Sequence, residues 1–190
     1  MVSRVPASYF EDMYRSDPDP WGFASEWYEA RKYALTLAAL PRARYHRAFE
    51  PGCSIGVLSE QLAGRADELI AADASPSPLE SARRRLGRTP GVSVRLMSVP
   101  EEWPPGRFDL IVLSEMAYYF TGPELGTLLA KSMATLEPGG DLIAVHWRLE
   151  TDYPLTGDRV HRVLRTTPGL TPISHHEERE FVLDVVRRDP

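Results

Sequence analysis

The chain has 190 residues, enough for one domain with a well-formed core and too few for two ordinary ones. Acidic residues outnumber basic ones by 27 to 22, and the net charge of −5 argues against nucleic acid as a partner, since phosphate neutralisation needs clustered cations. The single cysteine excludes an internal disulfide, and no apolar run reaches the roughly 20 residues of a membrane span. With no signal-peptide pattern at the N-terminus, we expect a cytoplasmic protein that binds neither nucleic acid nor a membrane.

The first quarter of the chain is helical and rich in aromatic residues. The patterns predict helices over 9–14 and 26–40, separated by the breaking sequence Ser-Asp-Pro-Asp-Pro at 16–20. So many large side chains in a segment without a strand indicate a helical lid over a site, spanning 1–45. Packing of the same side chains against a sheet explains them equally well, and both interpretations stay open.

A turn with two glycines follows the first predicted strand, at 45–50. Glu50 ends that strand, Gly52 and Gly56 punctuate the turn, and a helix begins at residue 57. Glycine permits positive φ and lets another molecule approach the backbone closely. The Gly-x-x-x-Gly spacing does not fit a dinucleotide fingerprint, and the Glu50 carboxylate would repel a pyrophosphate. The turn therefore predicts a nucleotide-like ligand that lacks phosphate.

A second carboxylate ends the next predicted strand, at 68–73. Asp73 lies 23 residues beyond Glu50, near the spacing at which a strand-end carboxylate accepts both ribose hydroxyls of a nucleoside. The alternative is an exposed acid at a strand end. A helix over 75–86 follows, with prolines suited to a helix start.

The second half of the chain continues the alternation of strands and helices. Its clearest strand, 107–115, is an almost uninterrupted apolar run, as expected for a central parallel strand buried on both faces. The alternation predicts an α/β, doubly wound sheet that ends in an antiparallel pair. The other predicted elements are strands over 92–97, 141–147, 170–175 and 180–187, helices over 124–136 and 157–166, and a Glu-Pro-Gly-Gly turn at 137–140.

In this order and spacing, the motifs resemble those of class I S-adenosylmethionine-dependent methyltransferases. The glycine turn is similar to their motif I, Glu/Asp-x-Gly-x-Gly-x-Gly, with Glu50, Gly52 and Gly56 matching and Ser54 in place of the middle glycine. The resemblance implies a single domain over 1–190, in which a cofactor-binding core over 46–190 follows the lid. It also implies a Rossmann-like sheet of seven mostly parallel strands in the order 3-2-1-4-5-7-6.

Two shorter strings are similar to the nodulation-protein-S (NodS-like) group. They are Asp-Pro-Trp at 19–21 and Trp-Tyr-Glu-x-Arg-Lys-Tyr at 27–33. This narrower resemblance implies N-methylation of a deacetylated sugar on a chitooligosaccharide. We therefore expect an enzyme acting on a small molecule, most simply on an amino sugar or amine. The alternatives are O-methylation of a sugar or natural-product hydroxyl, and a catalytically silent subunit that binds a partner.

The resemblance implies S-adenosylmethionine as the cofactor. Aromatic faces attract a sulfonium cation, which gives Trp21, Tyr28 and Tyr118 a reason to lie near it. The methionine carboxylate needs a cation or backbone donors, which Arg31 or the helix start after Gly56 would supply; Arg31 is equally well explained as a solvated charge. The predicted cofactor-binding residues are Trp21, Tyr28, Arg31, Glu50, Gly52, Cys53, Ser54, Gly56, Asp73, Ala74, Ser98, Val99, Pro100 and Ser114.

Two residues are candidates for the chemistry on the acceptor. Glu115 and His146 lie just past the ends of the fourth and fifth strands, at the carboxyl edge where open α/β sheets bind ligands. A protonated amine has no lone pair, so a nearby group must take or orient its proton. A structural role explains His146 at least as well. We predict no metal, because His175, His176 and Glu177 lack further ligands at fixed spacing.

Overall fold

The apolar run Phe108–Ser114 lies at the centre of a seven-stranded sheet in the computed structural model, which describes residues 3–190. The first two residues of the predicted lid lie outside the described residues. The strand order is β3-β2-β1-β4-β5-β7-β6, so the predicted order is confirmed. The strands are β1 (Tyr45–Pro51), β2 (Ala66–Asp73), β3 (Val92–Leu96), β4 (Phe108–Ser114), β5 (Leu136–Trp147), β6 (Leu170–Glu177) and β7 (Phe181–Arg188).

Helices cover both faces of the sheet. Successive residues of a strand point to opposite faces, so Ile111 packs into one hydrophobic cluster and Leu110 into the other. Strands β1 to β5 are parallel, and β7 pairs antiparallel with both β5 and β6. The helices are α1 (Ala7–Ser16), α2 (Trp27–Ala39), α3 (Val57–Ala63), α4 (Pro76–Leu86), a 3-10 turn (Ala117–Tyr119), α5 (Gly122–Thr135) and α6 (Gly157–Arg165).

The junction between α5 and β5 differs from the prediction. Phe108 pairs with Leu136 and Leu110 pairs with Asp141, so the predicted turn at 137–140 is an irregularity within β5 rather than a turn before it. Helix α5 also begins earlier than predicted, because Thr121 caps it together with Glu124 in a capping box.

The N-terminal segment is attached to the core at several points. The Glu11 carboxylate of α1 accepts hydrogen bonds from the backbone N–H and the hydroxyl of Ser77 at the start of α4, at 3.1 and 2.6 Å. Between α1 and α2, the Asp19 carboxylate accepts from the N–H groups of Phe23 and Ala24, at 2.8 and 2.9 Å. The connector thus has a turn conformation that its own aspartate stabilises.

Across residues 3–190, the helices are too short or too polar for any of them to cross a lipid bilayer.

Candidate active site

A cavity of about 420 Å³ lies at the carboxyl ends of the parallel strands, between the sheet and the N-terminal helices. This is the edge at which open α/β sheets bind ligands. The predicted cofactor residues that line it are Trp21, Tyr28, Glu50, Gly52, Cys53, Ser54, Asp73, Ala74, Val99 and Ser114.

Both glycines of the turn have left-handed backbone conformations. Gly52 has φ 75°, and a Cβ there would lie 3.1 Å from the Cβ of Met116. Gly56 has φ 80°, and a Cβ there would lie 3.2 Å from the backbone of Ala82 in α4. Any other residue would therefore be strained at these positions. Gly56 allows α3 and α4 to approach each other and does not line the cavity.

The Asp73 carboxylate lies beside this turn. It accepts hydrogen bonds from the backbone N–H groups of Ser54 and Ser75, each at 2.9 Å. Burial raises the pKa of Asp73, and these two N–H groups oppose the increase. An ionised carboxylate has about four acceptor sites. The acceptor capacity that the backbone does not use is left for hydroxyl groups of a ligand in the cavity.

Glu50 is buried behind the turn at 2% exposure. The Ser59 hydroxyl of α3 donates to its carboxyl group at 2.5 Å. Burial raises the pKa of Glu50 to about 8, and the Ser59 contact opposes this increase. Burial therefore favours the uncharged form of this carboxyl group, and a cationic ligand would favour the ionised form.

Glu115 follows β4 in a left-handed conformation, with φ 52°. Its carboxylate accepts a hydrogen bond from the Tyr118 hydroxyl at 2.5 Å and one from the Trp147 N–H at 2.8 Å. The ammonium group of Lys32 lies 2.7 Å from its other oxygen. A conformation that is unfavourable for glutamate is thus maintained by three donors, and such strained positions cluster at functional sites.

Lys32 connects Glu115 to a second carboxylate that sequence reasoning missed. Its Nζ is 2.9 Å from Oε1 of Glu29, one turn earlier in α2, and Lys32 is only 2% exposed. Although burial lowers the pKa of Lys32, the carboxylates of Glu115 and Glu29 outweigh that effect and raise it. Burial raises the pKa of Glu29 more than Lys32 lowers it. The sequence signal was the position of both residues one helical turn apart, on the face that also carries Tyr33.

Aromatic side chains form much of the remaining wall. Trp21 stacks on Phe23 with ring centroids 5.5 Å apart, and Tyr118 stacks on Tyr153 at 5.2 Å. Tyr28 meets Trp147 edge to face at 5.7 Å. All of these rings line the cavity. Trp21, Tyr28 and Tyr118 are among them, and their contact with a sulfonium cation stays a prediction.

Several predicted site residues lie elsewhere. Arg31 makes a bidentate ion pair with Glu178 on the β6–β7 hairpin, with N···O distances of 2.8 and 2.7 Å. It does not line the cavity. It corresponds to the surface-charge alternative, although it is paired rather than solvated. Ser98 and Pro100 also lie outside the lining; the Ser98 hydroxyl accepts a hydrogen bond from Arg4 at 3.1 Å.

His146 is fully buried behind the cavity wall rather than in it. Its Nε2 accepts the backbone N–H of Ala117 at 3.1 Å, and its Nδ1 lies 3.0 Å from Nε2 of His161. Nδ1 of His161 in turn lies 2.7 Å from the Asp184 carboxylate. Burial also lowers the pKa of His146 well below its ordinary value. Because both ring nitrogens are occupied, this contradicts the prediction of His146 as a base and favours the structural alternative.

Comparisons with known proteins agree with this fold. A family model described as a methyltransferase domain matches residues 48–140. Nodulation protein S of Rhizobium tropici is 29% identical over 127 residues, or 66% of this chain and 53% of that protein. The chain thus spans about half the length of this curated relative.

Two solved structures extend the comparison. The crystal structure of a Pseudomonas syringae protein, provisionally described as a methyltransferase, is 44% identical, with a TM-score of 0.77 over 86% of this chain and 100% of that one. The crystal structure of N-methyltransferase NodS from Bradyrhizobium japonicum WM9, in complex with S-adenosyl-L-homocysteine, is 22% identical. Its TM-score is 0.87 over 97% of this chain and 99% of that one, a likeness that shows the fold.

The strand order, the glycine turn with its two flanking carboxylates, and a relative of 44% identity matched over its whole length lead to the same assignment. The chain belongs to the class I S-adenosylmethionine-dependent methyltransferases.

Proposed function

We propose that this chain transfers a methyl group from S-adenosylmethionine to an amine of a small molecule, with an amino sugar as the acceptor class. The observation that carries the choice of acceptor is the charge of the cavity wall. Its lining contains four carboxyl groups, those of Glu29, Glu50, Asp73 and Glu115, and two cations, Arg4 and Lys32.

The residues around the glycine turn fit the cofactor. The remaining acceptor capacity of Asp73 suits the ribose hydroxyls, and Trp21 and Tyr28 offer faces to a sulfonium. With Arg31 paired to Glu178, the methionine carboxylate is left to the backbone donors at the start of α3. When bound, S-adenosylmethionine supplies an electrophilic methyl group. The role of the chain is then to align the acceptor with that methyl, and orientation of this kind lowers a barrier by about 7–11 kcal/mol.

An anionic acceptor does not suit this wall. Lys32 is paired with Glu29 and Glu115, and Arg4 is paired with Glu101, with both carboxylate oxygens within 3.0 Å. Among the described lining residues, no cation is left over to bind a carboxylate or phosphate of the acceptor. A neutral or cationic acceptor is favoured, because the excess carboxylates attract a positive charge.

An amine is favoured over a hydroxyl because of where His146 lies. A hydroxyl is a poor nucleophile until a base removes its proton. The buried His146 has both ring nitrogens occupied and faces away from the cavity, so it cannot serve as that base. An amine needs only to lose the proton that it carries as an ammonium ion, to Glu115 or to water. The structurally similar NodS is an N-methyltransferase, which supports the same choice.

The experiment is to incubate the purified chain with labelled S-adenosylmethionine and three acceptor sets: deacetylated chitooligosaccharides, free amino sugars, and matched sugars that carry a hydroxyl instead of the amine. Mass spectrometry then locates the methyl group. We expect the label on nitrogen and none on the matched hydroxyl sugars. Label on oxygen alone would replace the proposed acceptor, and absence of S-adenosylhomocysteine binding by calorimetry would favour the catalytically silent subunit.

A further inference from the structure

The cluster of Glu29, Lys32 and Glu115 has more negative than positive charge. Two carboxylates share one ammonium group, within 2.9 Å on one side and 2.7 Å on the other. All three residues line the cavity, and Glu29 and Lys32 are 6% and 2% exposed. Buried like this, the excess charge is poorly screened by solvent. One positive charge is therefore missing from the cluster.

Glu29 also has an oxygen without a partner. Its Oε1 accepts from Lys32, while its Oε2 is buried and has no partner with hydrogen-bond geometry in the described chain, although the Tyr33 hydroxyl lies close enough to influence the same carboxylate. The hydroxyl of Tyr28, the preceding residue, is likewise buried without a partner. Buried carboxylate oxygens and hydroxyls are almost always hydrogen-bonded, so each exception requires an explanation. A donor from a ligand in the cavity would satisfy both atoms and supply the missing charge.

A purely structural role explains this cluster less well. Buried ion pairs contribute little net stability, because desolvation offsets their attraction. Helix α2 is already attached to the rest of the chain on its outer side, where Arg31 pairs with Glu178. Glu29 adds a second buried carboxylate beside Lys32, and the attachment of α2 through Arg31 does not need it.

We propose that Glu29, together with Lys32 and Glu115, forms a binding site for an ammonium group beside the position of the transferred methyl, and that the protonated amine of the acceptor occupies it. This inference rests on the proposed function and makes Glu29 the residue that selects cationic acceptors. Lys32 keeps the two carboxylates together, and Glu29 Oε2 and the Tyr28 hydroxyl are the buried atoms that a ligand's ammonium group would satisfy after a small movement of the wall.

The test compares two cofactor analogues by calorimetry and needs no known acceptor. Sinefungin has a C–NH3+ group where the cofactor has its S–CH3, whereas S-adenosylhomocysteine has an uncharged sulfur there. We expect wild-type protein to bind sinefungin more tightly than S-adenosylhomocysteine. Glu29→Gln keeps the shape, and should reduce that preference by about tenfold, the effect of losing a hydrogen bond to a charged group. Its affinity for S-adenosylhomocysteine should stay unchanged.

The matched control is Glu26→Gln, because Glu26 is exposed at the start of the same helix and outside the cavity lining. It should behave like wild type. Glu29→Asp retains the charge and should keep most of the preference, so a loss as large as that of Glu29→Gln would overturn the proposal. A wild-type protein that binds both analogues equally well would also overturn it, whether or not the variants fold. Failure of wild type to bind S-adenosylhomocysteine would instead contradict the proposed function.

Discussion

The hydroxyl of Tyr14 in α1 is hydrogen-bonded to the hydroxyl of Ser54 in the glycine turn. Ser54 stands where the family pattern has its middle glycine, and it has φ 53°. The departure from the pattern thus coincides with a direct attachment of the N-terminal helices to the cofactor turn. A glycine there would relieve backbone strain and lose this attachment.

A double-mutant cycle with Tyr14→Phe and Ser54→Gly should reveal this coupling. Each change removes one hydroxyl of the pair, so the second change should cost less once the first is made. We expect a coupling of about 0.5–1.5 kcal/mol in the free energy of unfolding, the net value of one hydrogen bond. Urea denaturation of the four proteins measures it. Strict additivity would mean that the contact contributes nothing in solution.

Asp73→Ala should weaken binding of S-adenosylhomocysteine by about 1.5–3 kcal/mol, the range for hydrogen bonds to a charged group. The variant should also be less stable, since the N–H groups of Ser54 and Ser75 lose their acceptor. Calorimetry gives the affinity and thermal unfolding gives the stability. Asp67→Ala is the control, because Asp67 is an exposed strand residue paired only with Arg44. An affinity equal to that of the control would remove Asp73 from the ribose site.

The lid over residues 1–45 should become more resistant to proteases when S-adenosylhomocysteine binds. Its connector, 17–26, relies on Asp19 for its turn, and its aromatic residues line the cavity where the ligand would contact them. Lids are drawn from the less stable parts of a fold. Limited proteolysis with and without ligand measures the change. Equal cleavage at 17–23 in both states would indicate a fixed segment.

Glu115→Gln should reduce kcat/KM for an amine acceptor at least tenfold, or about 1.4 kcal/mol, and leave cofactor affinity nearly unchanged. The amide keeps the shape but removes the charge that pairs with Lys32 and attracts the acceptor. Steady-state kinetics, with the acceptor and S-adenosylmethionine varied in turn, separates the change in kcat/KM for the acceptor from any change in cofactor affinity. Glu137→Gln, the same exchange at an exposed position of β5, should have no effect. A loss below about threefold would make Glu115 structural.

His146 should make the protein more sensitive to acid. Its folded pKa is well below the value of about 6.5 in the unfolded chain. The unfolded state therefore binds the additional proton below pH 6.5, so the stabilising contribution of His146 is present above that pH and is lost as the pH falls. The limiting slope is about 1.4 kcal/mol per pH unit. His146→Asn should be less stable at pH 7, with a shallower loss of unfolding free energy between pH 6.5 and 5 in urea titrations. Parallel curves would contradict this prediction.

Local pattern was sufficient for the α/β class of the fold and for one side of the cavity, whereas the strand order was predicted from the family resemblance. The glycine turn, Asp73 and the apolar strand β4 are each specified by a few neighbouring residues, and the structure brings them together at the predicted edge. The charge pairing between α2 and distant parts of the chain was not predictable in the same way. Lys32 meets Glu115 and Arg31 meets Glu178, 83 and 147 residues apart in sequence. On a helix, a buried lysine and an exposed arginine look alike until the partner elements are in place.

The chain of contacts through His146 has only one arrangement of protons. Since the Ala117 N–H points at Nε2 of His146, that ring has its proton on Nδ1 and donates it to Nε2 of His161. His161 must then have its own proton on Nδ1, directed at Asp184. Every donor in the series points from the backbone after β4 toward β7, and an added proton at either ring would break a link. Both rings are consequently held in one tautomer and one orientation, which fixes the peptide between Met116 and Ala117 against β7.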